Sequence, residues 1–92
     1  MWEDMAIKEN EYLVVYPGHN IAGLLYQRLV KRSCKVELVS TPTKISYGCS
    51  RAIKFKEAYM DIVNVEIEKI ATKPKGMYKI IQKGKLRDYE KI

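Results

Sequence analysis

The residues able to do chemistry in this 92-residue chain are few, and they gather around one cysteine. Cys49 follows Gly48 inside the stretch 40–50 (STPTKISYGCS), with Lys44 and Ser46 ahead of it and Arg51 just after. A thiol acts as a nucleophile or atom carrier only as its thiolate, which nearby cations, helix N-termini and unpaired backbone N–H groups favour. Arg51 and Lys44 supply charge, and Gly48 lets the backbone come close or take a positive φ. The competing reading of Cys49 is a small hydrophobe packed under a loop. His19, the single histidine, follows Pro17 and Gly18. It serves either as a base or hydrogen-bond donor to that sulfur, or as an exposed turn residue.

Other chemistry is excluded by count. One histidine and two cysteines far apart build no metal site, and Cys34 and Cys49 are too few for a disulfide framework. Cys34, just before the alternating Val36 and Leu38, is expected to point inward as a structural residue. No Gly-rich phosphate loop is present, so no nucleotide chemistry and no cofactor are expected.

Seventeen Lys and Arg against eleven Asp and Glu give a net charge of +6. The excess sits in the middle, where Arg28, Lys31, Arg32, Lys35, Lys44, Arg51, Lys54 and Lys56 face the single acid Glu37. Such a surface attracts nucleic acid, anionic metabolites or acidic protein partners. With 47% apolar and 30% charged residues the chain supports a packed core. No apolar run reaches membrane-spanning length and the first ten residues lack a signal-peptide pattern, so a cytoplasmic protein without membrane attachment is expected.

The elements that must position Cys49 follow from pattern. Residues 1–10 are a mixed polar arm. The run EYLVVY at 11–16 ends at Pro17-Gly18, which predicts a buried strand and a turn. Asn20 is a candidate N-cap for a helix over 21–32, whose apolar residues Ile21, Leu24, Leu25 and Leu29 recur at threes and fours before the basic end Arg28, Lys31 and Arg32. Alternation predicts strands over 35–39 and 51–55, separated by the long Ser, Thr, Pro and Gly-rich loop. The stretch 57–70 alternates at Val63, Val65 and Ile67, yet Tyr59, Ile62, Val63, Ile67 and Ile70 form a helical stripe, and its length favours helix. Residues 76–81 (GMYKII) are the last strand, and 82–92 are a charged tail expected to fray.

The order βαββαβ predicts an α+β, ferredoxin-like sandwich over 11–81, with a four-stranded antiparallel sheet and two helices on one face. In the sheet order 4-1-3-2, the end of the first strand and the start of the third lie side by side. The turn after Tyr16, the N-terminus of the first helix and the loop 40–50 then share one edge, and the basic end of that helix lies at the other. Tyr12 and Tyr16 are expected to pack in the core or on the surface, with a place on the open sheet face, beside Val14 as a dimer contact, as the alternative.

The strand YLVVYP at 12–17, the segment VELVSTPTKISYGCSRAIKF at 36–55 and GMYKII at 76–81 resemble the DUF3343 family, the selenium/sulfur carrier-like proteins. The most specific part is Thr41-Pro42 with Ser46-Tyr47-Gly48-Cys49, leading into Arg51 to Phe55. The resemblance implies a persulfide or selenosulfide held on Cys49 in the loop between the second and third strands, whereas the supporting set Gly48, Arg51, Lys44, His19 and Ser46 comes from the reading of the residues, and His19 matches no residue of the family. It implies a role in selenium metabolism or sulfur transfer, as a non-catalytic carrier rather than an enzyme. The implied partners are a sulfur or selenium donor such as a cysteine desulfurase, and an acceptor enzyme. Two alternatives come from the residues themselves. One is a small nucleic-acid-binding module, although Arg51 and Lys54 stand where RNA-recognition domains of this topology place stacking aromatics. The other is a regulatory domain that forms a homodimer through its open sheet face.

Overall fold

The apolar run of the first strand makes it the spine of the sheet. In a computed structural model, which describes residues 10–45 and 50–92, Glu11–Tyr16 forms β1 and His19–Lys31 forms α1. Glu37–Ser40 forms β2 and Arg51–Lys56 forms β3. A 3-10 turn over Glu57–Tyr59 leads into α2 (Met60–Lys69), followed by β4 (Gly76–Lys83) and β5 (Leu86–Lys91). β1 lies between β3 and β4, antiparallel to both, and the full order is β2-β3-β1-β4-β5.

The sheet therefore has five strands rather than the expected four. Residues 82–92 do not fray: β4 runs on to Lys83, and Leu86–Lys91 pairs with it from Lys83↔Leu86 to Tyr78↔Lys91. The cause is Gly84, whose φ of 60° lets Gly84-Lys85 close a two-residue hairpin connection.

The helices show which local signals prevailed. α1 begins at His19 with Gly18 at its N-cap and no side-chain cap, so Asn20 lies within the first turn rather than capping it. It ends at Ser33, in the left-handed region at φ 65°, with Ser33 N–H donating to Val30 O (2.9 Å) and Cys34 N–H to Leu29 O (3.1 Å). These two bonds form a Schellman closure that satisfies carbonyls at the end of the helix. In α2, Val63 is fully buried while Val65 is 46% exposed, so the helical stripe overrides the strand-like alternation.

Two apolar layers flank the sheet. On one side Tyr12, Val14, Tyr16, Ile53 and Phe55 pack with Ala22, Leu25 and Leu29 of α1 and with Val63 and Ile70. The rings of Tyr12 and Phe55 stack at 5.8 Å. Each large apolar side chain buried there contributes about 1.5–3 kcal/mol of transfer free energy. Tyr12, Val14 and Tyr16 thus lie under the helices, not on an open face, because their cross-strand partners Phe55, Ile53 and Arg51 share the helix side. On the other side Leu13, Val15 and Ala52 are buried, with Val39, Ile45, Tyr78, Ile80 and Tyr89 packed around them.

Candidate functional site

The antiparallel register brings three strand ends to one edge. Arg51, the first residue of β3, stands opposite Tyr16 at the end of β1 and opposite Ser40 at the end of β2. Tyr16, Arg51 and Ser40 therefore project to the helix side, where α1 begins three residues after Tyr16. This is the edge at which the sequence places the turn, the helix N-terminus and the ends of the long loop.

The side chain of Arg51 is held from two directions. Its Nε donates to His19 Nδ1 at 2.8 Å, and one terminal nitrogen donates to Ser40 Oγ at 3.4 Å. An imidazole nitrogen accepts only when it carries no proton, so this bond fixes the ring proton on Nε2 and makes His19 a prop for the guanidinium. α1 has no acidic residue in its first turn and no side-chain cap, so the positive end of its dipole adds to the charge of Arg51. The edge is suited to an anion.

Among the described residues, three hydroxyls near this edge have no hydrogen-bond partner although their oxygens are buried: Tyr16, Thr41 and Ser50. Burial raises the Tyr16 phenol above its ordinary value of 10.0. Thr41 and Ser50 adjoin the Ser40↔Arg51 pair, so they root the two ends of the loop. Sequence reading singled out Thr41 only as part of the Thr41-Pro42 motif, and Ser40 and Ser50 not at all. A Ser/Thr-rich loop gives no sign of which hydroxyls the fold will bury.

Lys44 does not stand beside Arg51. Its Nζ donates 2.8 Å to the backbone oxygen of Arg87 on β5, and the Ile45 amide closes a turn onto Pro42 O at 2.9 Å. Cys49, Gly48 and Ser46, together with Tyr47, lie outside the described residues. Among the predicted site residues the structure therefore brings Arg51 and His19 together and places Lys44 elsewhere.

The opposite end of α1 is occupied by a carboxylate that sequence reading overlooked. Glu66 of α2 is 3% exposed and accepts from Arg28 Nε and from an Arg32 terminal nitrogen, each at 2.6 Å, with Lys69 Nζ at 3.6 Å. The hydrogen bonds from Arg32 and Arg28 outweigh desolvation and hold its acidity at about 2 instead of 4.5. The signal was present: Glu66 falls three residues after Val63 and four before Ile70, on the buried stripe, and Arg28 and Arg32 are one turn apart. Cys34, 5% exposed, belongs to the helix-side core, and burial pushes its thiol up.

A groove of about 560 Å³ lined by Ile67, Glu68, Ile70, Lys73 and Pro74 contains none of the predicted site residues. Among the described residues no cluster of His, Cys, Asp and Glu could hold a metal ion, and no helix is long and apolar enough to cross a membrane. A family model described as "Putative Se/S carrier protein-like" matches residues 11–79. No curated protein and no solved structure matches the chain.

Proposed function

Because the chain belongs to the Se/S carrier protein-like family, we propose that it holds a sulfur or selenium atom on Cys49 and delivers it to a partner enzyme. The observation that carries this reading is the propped guanidinium of Arg51, two residues after Cys49, beside an uncapped helix N-terminus. A fixed cation and helix N–H groups lower the cost of a sulfur anion at neutral pH. Gly48 and Ser46 complete the loop with a permissive backbone and a hydroxyl.

In loading, the Cys49 thiolate attacks the outer sulfur of a donor persulfide, such as that of a cysteine desulfurase. The donor S–S bond breaks, a new S–S bond forms on Cys49, and the donor leaves as a thiolate. Delivery repeats the exchange with an acceptor thiolate and restores the Cys49 thiolate. The oxidation level of the transferred sulfur is unchanged, so no oxidant or reductant is consumed. A selenium atom moves by the same exchange through a selenosulfide, which is the link to selenium metabolism.

We read the sheet as a ferredoxin-like βαββαβ arrangement extended by β5, and the protein as one of the reducing cytoplasm, where thiols stay free. The nucleic-acid alternative loses two of its cations, since Arg28 and Arg32 are committed to Glu66. The homodimer alternative loses its contact residues, since Tyr12, Val14 and Tyr16 lie under the helices.

The test is to incubate reduced protein with a cysteine desulfurase and cysteine and to read intact mass. Wild type gains one sulfur atom and Cys49→Ser gains none. No added mass on wild type, or equal addition on the variant, sinks the proposal.

A further inference from the structure

The cations of this chain divide into two groups once the ion pairs are placed. Several in the middle are matched: Arg28, Arg32 and Lys69 surround Glu66, and Lys54 lies between Glu11 at 4.0 Å and Glu37 at 3.5 Å. Those near the end of the chain are not. Among the described residues no ion pair involves Lys83, Lys85 or Arg87. The acid beside them, Asp88, accepts the Tyr89 N–H at 2.8 Å. Lys44 adds a fourth positive charge there, with its Nζ 2.8 Å from Arg87 O.

The sheet carries these charges outward. β1 accompanies β4 from Val15↔Gly76 to Glu11↔Ile80, while β5 continues along β4 to Lys83↔Leu86. The tip of the β4–β5 hairpin therefore runs past the Glu11 end of β1, away from the edge where Tyr16 meets Arg51. Every residue from Gln82 to Asp88 is exposed, and Leu86 is 71% so. A two-stranded ribbon is marginal in water by itself, yet this tip is braced. Gln82 Nε2 donates to Gly84 O at 2.9 Å and to Leu86 O at 3.2 Å, and Arg87 Nε donates to Gln82 Oε1 at 3.4 Å. The turn is held in one shape while its cations and its leucine face water, so little freedom is lost when a partner docks.

We propose that the hairpin tip, Lys83, Lys85, Leu86 and Arg87, is a docking element for an acidic surface on another protein. Three cations within residues 83–87 draw negative charge. Leu86 shares a face with Lys83 and supplies an apolar contact that a protein surface can match and a phosphate backbone cannot. Residues 81–88 hold no aromatic side chain on which a base could stack. A second copy of the chain, itself at +6, is repelled. The tip lies beyond residues 11–79, the region that the family model matches, and it involves neither Cys49 nor the loop that carries it. A partner held there leaves the Arg51 edge free.

The experiment titrates the full chain into a short fluorescein-labelled peptide rich in glutamate with leucine interspersed, and reads anisotropy. Salt is set at about 0.1 M, where exposed charges more than about 10 Å apart are largely screened. Three variants are compared with wild type: the combined reversal Lys83→Glu, Lys85→Glu and Arg87→Glu; Leu86→Ser; and, as a control of equal net charge, Lys31→Glu, Lys35→Glu and Lys73→Glu. Wild type is expected to bind, the tip reversal to bind about tenfold more weakly or worse, Leu86→Ser about threefold more weakly, and the control within about twofold of wild type. Absence of binding by wild type overturns the proposal, and so does equal weakening by the two reversals, which would mean that net charge alone draws the peptide. An oligothymidylate and vesicles of phosphatidylglycerol with phosphatidylcholine are titrated in parallel. Tighter binding of either, lost on tip reversal, assigns the tip to nucleic acid or to a membrane and likewise overturns the proposal. No sulfur transfer is read, so the carrier proposal and the docking proposal stand or fall separately.

Discussion

The two ends of α1 are built on opposite rules. At the C-terminal end charge and backbone are paired: the Schellman bonds take up helix carbonyls, and Glu66 is gripped by Arg28 and Arg32 with Lys69 nearby. At the N-terminal end the helix has no side-chain cap, the Arg51 guanidinium donates to His19 and Ser40, and the buried hydroxyls of Tyr16, Thr41 and Ser50 have no partner among the described residues. Buried polar groups are satisfied almost everywhere in folded proteins, so a cluster of exceptions at one edge needs an explanation. Here the satisfied end secures the helix pair, and the unsatisfied end is where the candidate carrier loop is rooted.

The contrast can be broken first where it is strongest. Glu66→Gln is expected to destabilise the fold by about 2 kcal/mol, a figure held below the full cost of breaking a buried pair because both arginines are about 40% exposed to solvent. Its pH signature has a definite sign. The folded-state acidity of Glu66 is depressed from 4.5 to about 2, so its contribution is present above the unfolded value and is lost as pH falls through that window. Urea unfolding of wild type between pH 5 and pH 2 should show this loss and Glu66→Gln should lack it; parallel curves would mean that the carboxylate is not what holds this end.

A smaller effect is expected at the other end. Arg51→Met removes the propped charge, and the pH profile of Cys49 labelling should move to higher pH by about half a unit to one unit. An unmoved profile would detach Arg51 from the thiol. The smallest effect is also the most diagnostic, because its sign is unusual. Tyr16→Phe deletes a buried hydroxyl that has no acceptor among the described residues, so the variant should be equal to wild type or more stable by up to about 1 kcal/mol in urea unfolding. A clear loss of stability would reveal a partner for that oxygen and weaken the contrast between the two ends.

How far the sequence reaches is seen in particular residues. The edge shared by Tyr16, Ser40 and Arg51 was legible, because strand order and crossover handedness fix it without knowledge of any side chain. Which face of β1 the helices cover was not. The run EYLVVY is buried on both sides, so it lacks the alternation that would tell Tyr12, Val14 and Tyr16 from Leu13 and Val15. The information lay in β3, where Ile53 and Phe55 mark the helix side, but using it requires the register that pairs them with Val14 and Tyr12. β5 was missed because a charged segment interrupted by glycine reads as a tail, although Gly84-Lys85 between KIIQK and LRDYEK is a two-residue turn signal. Lys44 was taken as a cation for the cysteine because it is near in sequence. Proximity along a loop says nothing about the direction in which a four-carbon stem extends.

The outer strand has one more consequence, for the behaviour of many copies together. An unpaired rim of backbone groups invites another chain to line up against it, and an extra strand on β4 creates such a rim anew. β5 carries Arg87, Asp88, Glu90 and Lys91, charges of both signs pointing to both faces of a strand only six residues long. Stacking a second copy there would force these ions out of water, so the strand that lengthens the sheet also discourages its growth into fibrils.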